Sequence, residues 1–303
     1  MEKIIEIKNL VKDYGHGRGV FDVSIDVTKG EVLGYLGPNG AGKSTTIRHL
    51  MGFAIPDSGK TYIKGKDTLK DRVEVMQDVS YIPGEVALPD LLTGRQVFEE
   101  QKALKNVKDD SFLKYLINLF KLDDSIVCKS MSLGSKRKIA IVSAFMSDPD
   151  VIILDEPSSG LDPEMQDIFI KLIEIEKGRG KTILLSSHIF REVDVSCDRI
   201  AIIKDGKIVS ELNTEDLKHK NITEYTVYFK DKKDMTNSID KLKKYKLVER
   251  QDLSSKYLVN ADNIKDFILN ISKLEIKDLS QKVESLEDYF MSFYKEDIEY
   301  GEM

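Results

Sequence analysis

Gly37-Pro38-Asn39-Gly40-Ala41-Gly42-Lys43-Ser44-Thr45 follows the apolar run Glu31-Val32-Leu33-Gly34-Tyr35-Leu36 and precedes Thr46-Ile47-Arg48-His49-Leu50-Met51. The order reads strand, glycine-rich turn, helix. Glycines at both ends let the backbone curl so that successive N–H groups point inward, and the helix N-terminus behind them adds partial positive charge. Such a loop cradles a polyphosphate. Lys43 would reach the outer phosphates and the Ser44 hydroxyl would ligate magnesium, the arrangement that the spacing GxxxxGK[ST] describes. A chance glycine turn before a helix would lack this full pattern in this strand and helix context.

The 303 residues, 41% hydrophobic and 32% charged, are enough for one large domain plus a smaller one. The start, Met1-Glu2-Lys3-Ile4-Ile5-Glu6, has no apolar signal core, and runs such as Val151-Ile152-Ile153-Leu154 are far too short to span a bilayer. The chain is therefore expected not to cross a membrane. A net charge of −6 argues against a non-sequence-specific nucleic-acid binder, so no nucleic-acid partner is expected. Cys128 and Cys197 share no metal-like spacing and imply no disulfide framework, which fits a cytoplasmic protein.

Outward from the loop, Ile4–Leu10 and Phe21–Val27 read as strands, the second by alternation of Phe21, Val23, Ile25 and Val27. Between them, Tyr14-Gly15-His16-Gly17-Arg18-Gly19 could hold the Tyr14 ring free for stacking on a base, and an ordinary surface tyrosine fits equally well. Pro56-Asp57-Ser58-Gly59 reads as a turn and Lys60–Lys64 as a strand. From about 88 to 146 the period becomes helical, with a Thr93-Gly94-Arg95-Gln96 capping box and a stripe of Phe112, Leu113, Leu116, Leu119 and Phe120. This is a helical insertion into an α/β domain, and the stripe reads as core.

Val151-Ile152-Ile153-Leu154-Asp155-Glu156 is a fully apolar strand ending in two carboxylates, as a buried parallel strand delivers acids to the C-terminal edge of a sheet. One acid can hold magnesium and the other can orient or deprotonate water. In Pro157-Ser158-Ser159-Gly160-Leu161-Asp162-Pro163, Asp162 is a good N-cap and Pro163 a good first helical residue, for a helix running to about Gly178. Thr182–Ser186 is another apolar strand with His188 just past its end; a lone loop histidine is more often solvated than catalytic. Arg199–Lys204 and Lys207–Ser210 form a hairpin about Asp205-Gly206. Beyond about Thr214 the elements run β-α-β-β-α-β: Tyr225–Phe229, Met235–Lys244, Lys246–Arg250, Lys256–Asn260, Asn263–Leu274 and Ile276–Glu284. That is the split-βαβ order. Ser285-Leu286-Glu287-Asp288 then caps a last helix with Leu286, Phe290, Phe293 and Tyr294 on one face.

Met131-Ser132-Leu133-Gly134-Ser135-Lys136-Arg137, shortly before Asp148-Pro149-Asp150 and the strand ending Asp155-Glu156-Pro157, narrows the P-loop to one family. Together these resemble the ATP-binding cassette (ABC) proteins: a signature loop, a Walker B strand with its adjacent glutamate, a D-loop at Ser159-Gly160-Leu161-Asp162 and a switch histidine at His188. The resemblance covers residues 1–213. It implies an α/β, P-loop NTPase (RecA-like) core with an antiparallel β subdomain and a helical insertion, followed by a small α+β domain at 214–303.

The resemblance also implies a head-to-tail dimer, a homodimer or one with a paralogue, with ATP between the P-loop of one cassette and the signature loop of the other. In it Tyr14 stacks on adenine, and Lys43 with the backbone of Gly37, Pro38, Asn39, Gly40, Ala41 and Gly42 holds the phosphates, Thr45 closing the motif. Ser44 and Asp155 organise magnesium, Glu156 is the general base and His188 holds the γ-phosphate. Ser132 and Gly134 meet that phosphate from the other subunit, and Asp162 ties the two sites together. Phosphoryl transfer needs mostly positioning and charge neutralisation, which such groups supply.

Two departures stand out. Leu133-Gly134-Ser135 replaces the usual double glycine and glutamine, leaving the serine and the second glycine. At Tyr81-Ile82-Pro83-Gly84-Glu85 the family's magnesium-coordinating glutamine is Gly84, and Glu85 is expected to take that role, since a carboxylate oxygen ligates magnesium as an amide does.

The expected function is an ATPase subunit driving a separate membrane-spanning permease, peripheral on the inner face of the cell membrane. The tail Val283-Glu284-Ser285-Leu286-Glu287-Asp288-Tyr289-Phe290 resembles cassettes of bacterial antibiotic-resistance and sodium exporters, which favours export. The alternative is a soluble ABC ATPase clamping a ribosome or nucleic acid; those resembling translation factors carry two cassettes and those on DNA carry long coiled coils. A non-hydrolysing regulator is disfavoured by the intact Asp155-Glu156 pair.

Overall fold

The computed structural model describes residues 2–218, 222–282 and 285–293. The chain divides into two compact units, Met1–Asn213 and Thr214–Met303.

In the first unit, β1 (Lys3–Asp13) and β2 (Gly19–Thr28) pair antiparallel, β1 burying Ile5, Ile7 and Leu10 and β2 burying Val20, Val23 and Val27. They are followed by β3 (Val32–Leu36), α1 (Lys43–Leu50), β4 (Ser58–Ile63), β5 (Lys66–Asp67), α2 (Arg72–Asp78) and β6 (Val79–Ile82). Strands β2, β1, β4 and β5, in that order, make a four-stranded antiparallel sheet. The segment Pro56–Gly59, read as a turn, is not one throughout: Ser58 and Gly59 already belong to β4. Gly59 has φ +88°, and a Cβ there would lie 2.3 Å from the Asn9 carbonyl oxygen, so the glycine marks a bulge against β1.

The chain continues through α3 (Gly94–Lys105), α4 (Ser111–Leu119), α5 (Leu133–Phe145), β7 (Val151–Asp155), α6 (Pro163–Gly178), β8 (Thr182–Ser187), α7 (Phe190–Ser196), β9 (Arg199–Lys204) and β10 (Lys207–Asn213). Thr93 caps α3 through the full capping box with Gln96. On α4 Leu113 and Leu116 are buried, as is Phe120 beyond its end, while Phe112 and Leu119 are half-buried.

The larger sheet runs β10-β9-β3-β8-β7-β6, parallel from β9 to β6 with β10 antiparallel at the edge. Every residue of β3, β7 and β8 is buried, which is why these strands read as unbroken apolar runs rather than alternations. The registers Leu36↔Ser187, Asp155↔Ser186 and Ile82↔Leu154 align the C-terminal ends of β3, β8, β7 and β6. The residues leaving those ends, among them Gly37, Glu156, His188 and Pro83, therefore share one edge of the sheet.

The second unit opens with α8 (Thr214–Lys218) and continues through β11 (Ile222–Phe229), α9 (Lys232–Leu242), β12 (Lys246–Gln251), β13 (Ser254–Asn260), α10 (Ile264–Ile271), β14 (Ile276–Lys282) and α11 (Leu286–Ser292). Its antiparallel sheet has the order β12-β13-β11-β14, the split-βαβ arrangement. Phe267 of α10 packs against Tyr225, Tyr245 and Tyr257 with ring centroids 5.2, 4.8 and 6.0 Å away. The Ser285 hydroxyl accepts from Asp288 N at 3.0 Å and caps α11, which buries Leu286 and Phe290. Val283, Glu284 and Tyr294, part of the expected last strand and helix face, lie outside the described residues.

Candidate functional site

The backbone leaving β3 curls through Gly40 (φ +84°) and Gly42 (φ +110°), and Gly42 occupies the N-cap of α1. A side chain at Gly42 would be strained in this left-handed conformation. Lys43 is 4% exposed, and its ammonium donates to the carbonyls of Gly37 (2.7 Å) and Pro38 (3.1 Å). Its third neighbour is Glu156 Oε1, at 3.0 Å.

The loop forms one side of an open cleft of about 790 Å³. Asn39, Gly40, Gly42, Lys43, Ser44 and Thr45 line that side, Pro83, Gly84 and Glu85 line another, and Asp155 and Glu156 lie between. Asp155, 2% exposed, takes a hydrogen bond on Oδ1 from the Ser186 hydroxyl at 2.6 Å. A Cβ on Gly84 would stand 3.2 Å from Asp155 Oδ2, so the Pro83–Glu85 loop lies directly against this carboxylate.

Glu156 adopts φ +48°, a conformation that costs a non-glycine residue about 1–2 kcal/mol. Its N–H is anchored to both the carbonyl and the hydroxyl oxygen of Ser186, each at 3.1 Å, so β8 holds the strained residue in place. The carboxylate is thereby turned between two partners: Oε1 meets Lys43, and Oε2 lies 3.1 Å from Nδ1 of the exposed His188.

Ser44, Glu85 and Asp155 contribute oxygen donors to the one cleft. Among the described residues no group of three or more His, Cys, Asp or Glu forms a cage for a metal. This donor set fits magnesium, which takes one or two carboxylates and fills its remaining positions with phosphate oxygens and water.

The other sequence-derived candidates do not line the cleft. Tyr14 is exposed in its glycine loop, with the Lys12 ammonium 5.7 Å from its ring centroid. Ser132 caps α5, its hydroxyl accepting from Ser135 N at 3.1 Å. Gly134 lies so close to the next loop that a Cβ would be 3.1 Å from the Gly160 carbonyl oxygen. Asp162 caps α6 by accepting from Met165 N at 2.9 Å.

Sequence reasoning assigned no role to several neighbours of the cleft. Arg48, Phe53 and Tyr81 line it, with the Phe53 and Tyr81 rings edge-on at 5.6 Å. Burial, aided by the Asp155 charge, pushes the Tyr81 phenol up to about 12. Ser186 and Arg137 act through partners distant in sequence, and no local pattern announces them; Glu192 accepts from the nearby Ser187 hydroxyl, and only its burial sets it apart. Burial raises the Glu192 carboxyl to about 7; hydrogen bonds from Ser187 and Ser158 oppose the shift and the Glu156 charge adds to it.

Residues 20–159 match the family model described as ABC transporter. The chain is 30% identical over 296 residues to the uncharacterized ABC transporter ATP-binding protein YhcH of Bacillus subtilis (strain 168), covering 96% of each chain. It is 34% identical over 212 residues to the Nod factor export ATP-binding protein I of Burkholderia orbicola (strain AU 1054), covering 68% of this chain and 70% of the relative. A solved structure of the ATP binding subunit of an ABC transporter matches at 30% identity with a TM-score of 0.65, over 71% of this chain and 92% of that one.

Proposed function

The chain belongs to the family of ABC transporter ATP-binding proteins, and from that premise we propose that it energises an exporter by closing and reopening on ATP as a pair of cassettes. It is an ATPase of that family. The observation that carries the reading is the convergence of Lys43 and His188 on the two oxygens of Glu156, next to Asp155, at the mouth of a phosphate-binding loop.

In this reading residues 1–213 form the ATPase domain and 214–303 an accessory domain. The backbone of Gly37–Gly42, through N–H groups such as those of Asn39, Gly40 and Gly42, and the Lys43 ammonium bind the phosphates of ATP. Glu156 takes the proton of the attacking water, and His188 holds the γ-phosphate. Ser44, Asp155 and Glu85 hold magnesium, which when bound neutralises charge on the phosphates. Tyr14, Ser132, Gly134 and Asp162 lie away from the cleft. Their position supports a site completed by a second cassette, with Tyr14 stacking on the base, Ser132 and Gly134 meeting the partner's nucleotide and Asp162 tying the two sites together.

Among the described residues no helix is long and apolar enough to cross a membrane. A translocation path would then come from a separate permease, gripped through the helical segment 88–146 on the cytoplasmic side of the membrane. ATP moves that permease only through its differential affinity for the closed pair. The relative named for Nod factor export supports the outward direction.

The test is to purify the chain from its native membranes with whatever accompanies it and measure ATPase activity in lipid. Recovery with a protein of several bilayer-spanning segments that raises ATP turnover supports the exporter. Recovery with ribosomes, and turnover raised by them instead, would replace it with the soluble clamp.

A further inference from the structure

The guanidinium of Arg137, on α5, is 3% exposed and reaches three main-chain carbonyls in two loops. Nη1 donates to Pro83 O at 3.0 Å, Nη2 to Gly84 O at 2.6 Å and Nε to Ser159 O at 3.1 Å. These acceptors lie 54, 53 and 22 residues from it in sequence. Burial lowers its pKa while the charges of Asp155 and Glu156 oppose that shift, and a guanidinium stays cationic in any case.

Both loops adjoin the cleft, one through Pro83, Gly84 and Glu85 and the other through Glu156. Pro83 and Gly84 precede Glu85, and Gly84 lies beside Asp155. Ser159 follows Glu156 and donates its own N–H to the Glu156 carbonyl at 3.2 Å. A planar fork of fixed geometry therefore spans the wall beside the metal ligands and the turn behind the general base. Neither loop can shift alone without stripping a buried cation of an acceptor, an outcome that buried charge penalises.

We propose that Arg137 is a positioning residue that ties the Pro83–Glu85 loop and the Glu156–Gly160 loop to α5, so that this helix sets the metal-binding wall and the general base together. Arg137 touches neither substrate nor reacting atoms. The proposal rests on the reading of the cleft as an ATP-hydrolysing site, and it adds a route: a partner that displaces α5 moves both loops at once.

Hydrogen exchange on the full chain without nucleotide tests the tie independently of any partner. In Arg137→Gln the amides of 84–86 and of 158–161 are expected to exchange about tenfold faster or more, with those of 39–45 unchanged. Arg137→Lys keeps the charge but not the fork, and is expected to show a smaller rise in the same two loops. A rise confined to one loop, no rise, or a uniform rise along the chain would overturn the proposal. In ATPase assays Arg137→Gln is expected to lower kcat about tenfold while KM for ATP stays within about twofold. A parallel loss of kcat and ATP affinity would also overturn it. If both loops loosen together while Glu156→Gln still hydrolyses ATP, the positioning role stands and the catalytic reading of Glu156 falls.

Discussion

The Lys43 ammonium stands 3.0 Å from Oε1 of Glu156, so the P-loop and the residue leaving the C-terminal end of β7 meet directly. The remaining oxygen, Oε2, faces His188 Nδ1 at 3.1 Å, and the carboxylate is aimed from both sides. Glu156→Gln keeps the shape and one oxygen but removes the basic site. Lys43 retains its bonds to Gly37 and Pro38 in that variant, so ATP binding should persist. Hydrolysis is expected to fall by roughly 10²–10⁴-fold, the scale of a lost general base. An ATP-loaded pair of chains should then accumulate, visible by size-exclusion chromatography with ATP and magnesium. Turnover at the wild-type rate would remove Glu156 from this role.

Ser186 holds both acids through one residue: its hydroxyl donates to Asp155 Oδ1, and its carbonyl and hydroxyl oxygens receive the Glu156 N–H. Ser186→Ala leaves a buried carboxylate oxygen short of a donor, at a cost of about 1–3 kcal/mol. Thermal unfolding should show that loss, and magnesium titration of the ATPase should show a several-fold weaker apparent affinity. Unchanged magnesium dependence would mean that Asp155 is held by other contacts.

Gly84 and Glu85 make a paired prediction. Asp155 is buried and already fixed by Ser186, so it cannot easily yield to a methyl group 3.2 Å from Oδ2. Gly84→Ala should therefore weaken magnesium-dependent hydrolysis while leaving nucleotide affinity without magnesium unchanged. Glu85→Ala should raise the magnesium concentration needed for half-maximal activity by about tenfold, the effect of removing one carboxylate oxygen from the shell. If Glu85→Ala keeps wild-type magnesium dependence and coupling to transport, Glu85 is not the ligand that replaces the missing glutamine.

The sequence displayed the parts of the site built from contiguous residues. The P-loop and the Val151–Glu156 strand are legible because a glycine-rich turn and a fully buried parallel strand each leave a local pattern. The β-α-β-β-α-β order beyond residue 214 was legible for the same reason, through alternation and helical period. Pro56–Gly59 misled because a glycine at positive φ serves a bulge as well as a turn. Short α2 and α7, of seven residues each, span too few turns to show a period. Arg137 and Ser186 escaped because their partners lie 22 to 54 residues away; the register of the parallel sheet brings Ser186 beside Asp155, and the placing of α5 brings Arg137 to its carbonyls.

Glu192 carries the pH prediction. It is 2% exposed on α7, receives the Ser187 hydroxyl just before His188, and burial lifts its carboxyl from 4.5 to about 7. The folded chain therefore keeps this proton where the unfolded chain has released it. Its contribution is fully present below about pH 4.5 and is lost as pH rises through about 7. At 1.36 kcal/mol per pKa unit the whole window amounts to about 3 kcal/mol. Glu192→Gln removes the titration and keeps a neutral side chain of the same shape. Urea midpoints measured at pH 5 and pH 8 should therefore diverge, the wild type losing stability relative to the variant at the higher pH. Parallel profiles for the two proteins would show that Glu192 ionises in the folded chain as freely as in the unfolded one.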